Sequence, residues 1–535
     1  MNTVDFIYEM QDGNVIHYLF SQKRGPTQYI INLINYYAFG YHDEFWIRLP
    51  YLIFGVVALF TIYKLSKKIF GRNIAIIAST LMAINGLFIA FARITQYQSV
   101  MYCVIPIAVF MFIKALEKMS IKWMLLTGLL MSVTLLTHYD SLSVTPFFIV
   151  MFLGKFWREG DYSKATIIKY LKLAIVFGLA FVLPALAFYI PFTLSHEFER
   201  RTSGYLEDRL LGGGLMPRTK LTMYLLSMYE PIFVMASIYL FAVGSGLFYS
   251  KLVTVELWKL KIKPQLVKWW FILLILINAG SSYMSLFYFK PRASTVLVVL
   301  SSIAIAGILL VSKRVSVKYV ALMTWFLGAY SMYFYLVKDP RTHVYVVFIP
   351  AFILAGYTIY KVYRGFAFSH MVQTVYLGVI SLAFVYVIGF NWMVFVDRAP
   401  EYPWFDKEYF GSPIFEIPKV RHKKIDGVFG FNQWRGWELT ADYFRRGCLK
   451  GTYDSNEKNS VTYFYIRQNQ VRGEEGFLPG RADNLIVVEG PHSWEYENQR
   501  IYLGYDLVKI IKSNDIPVTF IYSRNYNPSC FAEAN

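Results

Sequence analysis

Apolar stretches of roughly twenty residues recur along this chain up to residue 397, broken by short gaps rich in lysine and arginine, and then stop. At ~1.5 Å rise per residue, such a stretch matches the ~30 Å hydrocarbon core of a bilayer. A fold buried in water would have to hide all of these faces at once. The chain is 56% hydrophobic and only 16% charged, against about 25% charged in a soluble domain. The sequence therefore predicts an α-helical polytopic membrane protein, with about twelve spans.

The predicted spans cover 47–64, 73–92, 99–116, 122–138, 142–157, 170–193, 226–248, 268–288, 293–311, 318–337, 344–362 and 374–397. The stretch at 142–157 is short for a crossing. The formal net charge of +18 does not indicate nucleic-acid binding. A nucleic-acid site gathers its cations on one face of a folded domain, whereas here they sit mostly between apolar runs. Alternate gaps carry Lys64, Lys67, Lys68 and Arg72, then Lys114, Lys118 and Lys122, and so on to Lys361 and Arg364. Most intervening gaps are poorer in both residues. Basic loops stay cytoplasmic, so both chain ends are expected outside the cell, in a multi-pass protein of the plasma membrane.

Residues 1–46 then form an extracytoplasmic first loop, 47–397 the transmembrane domain and 398–535 an extracytoplasmic soluble domain. Residues 27–39 have helical apolar spacing but are too short and polar to span, which suggests an interfacial helix. Nothing before residue 47 resembles a signal or anchor, so a further spanning helix upstream of Met1 is expected. In the tail, strands are expected at 461–466, 484–489 and 518–522, with helices near 433–446 and 504–512: a small α/β domain. Cys448 and Cys530 could form a disulfide in an oxidising compartment; their spacing alone does not pair them.

Chemistry at a membrane surface needs polar groups at the mouths of the helices. The outer segments supply Gln22-Lys23-Arg24-Gly25-Pro26, Asp43 and Glu44, then Arg93 to Gln98, then His138-Tyr139-Asp140. A longer loop holds Tyr205 and Arg209, and a late mouth holds Arg341-Thr342-His343. Arginine grips phosphate oxygens in a bidentate fork, and a carboxylate can take a proton from an attacking hydroxyl. Cations and acids together at the lipid edge suit group transfer from a phosphate-bearing lipid. Each has a blander reading as well: Arg48 as a snorkelling anchor, Lys23 and Arg24 as headgroup contacts, His138 with Asp140 as a helix cap, and the many tyrosines as an interfacial belt.

Over roughly residues 1–360 the order of elements resembles the GT-C membrane glycosyltransferases. These elements are Arg48-Leu49-Pro50, the basic turn KKIFGR, Arg93 with Gln98 five residues on, LTHYDSL, YIPF, and the late PR-x-H-x-Y before Pro350. The nearest group is the protein O-mannosyltransferase and aminoarabinose-transferase-like set. The resemblance implies an inverting transfer of a hexose or pentose from a polyprenyl-phosphate carrier to a lipid, glycan or protein acceptor on the outer face. It places Lys23, Arg24, Arg93, Arg341 and His343 at positions that approach the donor phosphate, and the outer-mouth reading adds His138, Asp140, Tyr205 and Arg209 as candidate donor contacts. Gln98 departs from the pattern, standing where many members have an acid. The family's acidic pair would fall before Met1, which leaves Asp5, then Glu9, as substitute catalytic carboxylates. No cofactor is certain from the residues, and a divalent metal has room. Membrane lipids are the other expected partner, and nucleic acid is not. Two other readings are a lipid-linked oligosaccharide polymerase or ligase, and a transporter or flippase; the latter predicts two related halves, which the sequence does not display.

Overall fold

The computed structural model describes residues 19–20, 25–40, 44–199, 226–227, 229–254, 256–257, 260–261, 263–287, 291–337, 340–396, 434–457, 459–466, 482–489, 504–513 and 515–531. These fall into two compact units, one within 14–388 and the other within 389–535.

The first unit is helical. Its elements are α1 (Thr27–Phe39), α2 (Glu44–Phe70), α3 (Arg72–Ala83), α4 (Gly86–Ala92), α5 (Gln98–Lys118), α6 (Ile121–Thr137), α7 (Thr145–Glu159) and α8 (Lys164–Thr193). Further along the chain come α9 (Ile232–Gly244), α10 (Pro264–Phe287), α11 (Pro291–Val311), α12 (Val317–Ser331) and α13 (Tyr345–Gly365), and then α14 (His370–Phe395), whose last turns pass the boundary at residue 388. Among the described residues, eight helices are long and apolar enough to cross a membrane, or nine when α3 and α4 count as one span bent by 68°. The expectation of about twelve spans thus meets fewer full-length crossings. At 17 and 15 residues, α6 and α7 are short, and α12 gains length only through the π-helical turn Met332–Leu336.

The helix α1 shows its character by which side it hides. Gln28, Tyr29, Asn32 and Asn35 are buried, while Ile30, Ile34 and Tyr37 are exposed. Polar side chains face inward because they have partners there. Gln28 Nε2 donates to the Thr95 carbonyl at 2.8 Å, and the Tyr51 hydroxyl donates to Asn32 Oδ1 at 2.6 Å. The outward apolar face suits a helix lying in the interface.

The centre of this unit is α13, whose stretch from Tyr345 to Ile359 is buried on every side. It packs against α3, α9 and α12. Gly356 permits the approach to α3, since a Cβ there would stand 3.0 Å from the backbone N of Ala78. Inside the membrane, polar groups tie helices together. Asn278 of α10 donates to Ser301 and Ser302 of α11, each at 2.9 Å, and accepts from Tyr239 of α9. Glu230, the clearest acid in the apolar runs, is buried, and its Oε2 accepts from the Gly86 N–H at the bend between α3 and α4.

The second unit holds α15 (Trp437–Arg445), β1 (Tyr453–Ser455), α16 (Asn459–Tyr465), β2 (Asn484–Val488), β3 (Asp506–Ser513) and β4 (Ile516–Ser523). The sheet order is β1-β2-β4-β3, with β1 parallel to β2 and the other pairs antiparallel. Cys448 and Cys530 are bonded, with Cα atoms 5.7 Å apart. Two expected elements change type. Residues 461–465 of the first lie in the helix α16, where Val461 and Tyr465, four apart on one helical face, pack against the core of this unit. The stretch 504–512 is an edge strand, held by a hairpin in which Ser513 pairs with Ile516 and Asp515 takes φ 65°. Pairing to a neighbour overrode its helical spacing.

Candidate functional site

Three backbone ends converge at one mouth of the helical unit. The helix α6 stops at Thr137, where Thr134 and Thr137 hydroxyls bond back to the carbonyls of Met131 and Val133. A 3₁₀ turn, Tyr139–Val144, follows, and Pro146 starts α7. The second end is the turn after α4. Arg93 caps that helix, its N–H bonded to the Ala90 carbonyl at 3.2 Å, and Tyr97 precedes α5. The third is the 3₁₀ turn Arg341–Val344 entering α13, where His343 N–H bonds to the Pro340 carbonyl at 2.8 Å.

Asp140 lies at the meeting point and is fully buried. Its Oδ2 is 2.8 Å from Nδ1 of His343 and 3.2 Å from Nδ1 of His138. Its Oδ1 accepts from the Tyr333 hydroxyl at 3.0 Å. Tyr333 sits in the π-helical turn, a wide turn often found where a side chain is re-aimed. The Tyr97 ring stacks on His138, with centroids 4.2 Å apart and planes 6° apart. The Tyr97 hydroxyl lies 3.3 Å from His343 Nδ1. Burial alone would raise the Asp140 carboxyl; the adjoining imidazoles of His138 and His343 win, and hold it well below the usual carboxylate range. One ligand atom from each of His138, Asp140 and His343 lies within 4.8 Å of the others, so these three could hold a metal ion.

The sequence-predicted residues divide three ways. His138, Asp140 and His343 come together although 203 residues separate the last two. Arg93 stands half-buried on the turn that also carries Tyr97. For Arg341 only the backbone is described, in the same turn as His343. Asp5, Glu9, Lys23, Arg24, Tyr205 and Arg209 lie outside the described residues. Next to that last group, Gly25 is fixed in place. A Cβ there would meet the Leu136 carbonyl oxygen at 2.0 Å, two residues from His138. Sequence reasoning missed Tyr97 and Tyr333, which it left in the interfacial belt. The buried Gln98 Oε1 has no partner among the described residues.

Residues 26–188 match the family model described as dolichyl-phosphate-mannose-protein mannosyltransferase. The resemblance read from the sequence therefore holds over the stretch that carries Arg48-Leu49-Pro50, Arg93, His138 and Asp140. A 130-residue stretch is 28% identical to YkcB of Bacillus subtilis (strain 168), whose mannosyltransferase assignment is itself an inference. That stretch spans 24% of this chain and 18% of the relative's length. Two solved structures show a distant likeness. ArnT from Cupriavidus metallidurans bound to undecaprenyl phosphate is 13% identical, covering 94% of this chain and 88% of that one with a TM-score of 0.42. The oligosaccharyltransferase AglB from Archaeoglobus fulgidus, in complex with an inhibitory peptide and a dolichol-phosphate, is 12% identical, covering 87% and 61% with a TM-score of 0.40. Likenesses of that size do not bear on the chemistry of the site.

Proposed function

We propose that this protein is a membrane glycosyltransferase that moves a sugar from a polyprenyl-phosphate carrier to an acceptor hydroxyl, with the Asp140 mouth as its reacting centre. The observation that carries this reading is the coincidence of two facts. A buried, charged Asp140–histidine centre sits at a helix mouth, and two of its three residues fall inside the stretch matched by the mannosyltransferase family model. Buried ionisable groups are costly unless paired, and clusters of them in a protein interior are candidate functional sites.

In the transfer, the acceptor oxygen attacks the anomeric carbon and the bond from that carbon to the phosphate oxygen breaks. The acceptor's proton passes to a carboxylate, and the carrier leaves as polyprenyl phosphate. Asp140 is a poor base for this step, since both of its oxygens are engaged. Asp5 is the carboxylate proposed for it, with Glu9 second. Lys23, Arg24, Arg93 and Arg341 form the proposed grip on the departing phosphate; the seating of Gly25 against Leu136 supports a place for the first two near this mouth. Tyr205 and Arg209 are proposed to close over the donor from the long loop. The reaction is assigned to the outer face of the plasma membrane, in keeping with the basic gaps and with a disulfide in the tail.

The test uses purified full-length protein in lipid nanodiscs with polyprenyl-phosphate-linked mannose, glucose and arabinose-type donors. Release of free polyprenyl phosphate, dependent on the protein and lost in Arg93→Ala, is the expected result. No release from any donor, by protein that is folded and inserted, would sink the reading.

A further inference from the structure

We propose that His138, Asp140 and His343 bind one divalent metal ion, through a ring nitrogen of each histidine and Oδ2 of Asp140. The ion's role rests on the transfer reading above; its binding does not.

The first support is spacing. Donor atoms about 2.0–2.2 Å from an ion at tetrahedral or octahedral angles stand about 2.8–3.6 Å apart. Asp140 Oδ2 stands 2.8 Å from one Nδ1 and 3.2 Å from the other. Both contacts are edges of a coordination polyhedron in length.

The second support is convergence in the interior: His138, Asp140 and His343 are all buried, and one ligand atom of each lies within 4.8 Å of the others.

The third support is the surrounding shell. Ligands in metal sites are oriented by their own hydrogen bonds and packing. Tyr333 donates to Oδ1 of Asp140, which leaves Oδ2 to coordinate. Tyr97 holds the His138 ring flat against its own. Two imidazoles and one carboxylate suit zinc, manganese, cobalt or ferrous iron over magnesium or calcium, which favour oxygen ligands. Three protein ligands leave coordination positions for oxygens of a substrate, and a phosphate leaving group supplies such oxygens.

The test begins with full-length protein in nanodiscs, stripped with a chelator, reloaded with zinc or cobalt chloride and desalted. Elemental analysis should find about one metal ion per chain. The Co²⁺ form should show a visible absorption spectrum of mixed nitrogen and oxygen ligation. His343→Ala and His138→Gln should each lower retained metal at least tenfold at unchanged elution volume, whereas His370→Ala should retain it. Asp140→Asn removes a buried charge and can impair folding, so the two histidine variants decide. Wild-type protein that retains no more metal than His343→Ala overturns the proposal. If such metal-free protein still releases polyprenyl phosphate at full rate, the transfer reading stands alone. One ion bound with no release from any donor would leave the site standing and sink the transfer reading.

Discussion

The Tyr333 hydroxyl donates to Oδ1 of Asp140 at 3.0 Å, joining the end of α12 to the turn after α6 across 193 residues of chain. Removing that donor leaves a buried carboxylate oxygen short of a partner. Tyr333→Phe should therefore destabilise the site by about 1–3 kcal/mol, and sugar transfer should fall roughly ten- to hundredfold. Release of polyprenyl phosphate, measured beside thermal unfolding in detergent, checks this. Unchanged transfer would mean the bond only braces the helices.

Tyr97 contributes a ring and a hydroxyl to different histidines, so two variants separate them. Tyr97→Phe keeps the stack on His138 and should lose less activity than Tyr97→Leu. The difference should be about 0.5–1.5 kcal/mol, the worth of an aromatic pair beyond its buried area. Equal losses in kcat/KM for both variants would show that the hydroxyl, not the ring, matters.

Gly25 bears on how the start of the chain is seated. A methyl group there collides with the backbone of Leu136, and neither partner is a flexible side-chain end. Gly25→Ala should cost about 1–3 kcal/mol of local packing and weaken donor affinity more than turnover. A rise in KM with kcat held is the expected pattern, and unchanged kinetics would place Gly25 apart from donor binding.

The C-terminal unit gives a topology test. Cys448 and Cys530 are bonded to each other and Cys103 is buried. Intact cells should therefore resist a membrane-impermeant thiol reagent until an impermeant reductant is added, and then label at two positions in the tail. Labelling only after lysis would put the tail inside. Replacing both cysteines by serine should destabilise the tail by up to about 4 kcal/mol, given the 82-residue separation, read as earlier proteolysis of this segment.

Much of the helical unit was legible because bilayer thickness demands long apolar runs of a crossing. The helix at Thr27–Phe39 was readable from apolar spacing alone, with bounds that agree to the residue. The tail was harder. Residues 504–512 carry spacing compatible with a helix, and only the partner strand Ile516–Ser523 makes them a strand. At the candidate site, His138, Asp140 and His343 stood out because such residues are rare among apolar runs. Tyr97 and Tyr333 did not, because a tyrosine that orients a carboxylate reads like any belt tyrosine. What distinguishes Tyr333 is a π-helical turn at the end of a helix, a backbone detail with no sequence signature here.

The 203 residues between Asp140 and His343 also set an order of events during synthesis. At about 5–20 residues per second, His343 follows Asp140 out of the ribosome by roughly 10–40 s. For nearly all of that interval the nascent chain carries His138 beside Asp140 with neither Tyr333 nor His343 to cover them. Those groups must stay at a watery edge, or find a temporary partner, until the later helices have been inserted. The early half is therefore held unfinished, and a defect anywhere from α7 to α12 can reach the quality-control machinery as an exposed charge near α6.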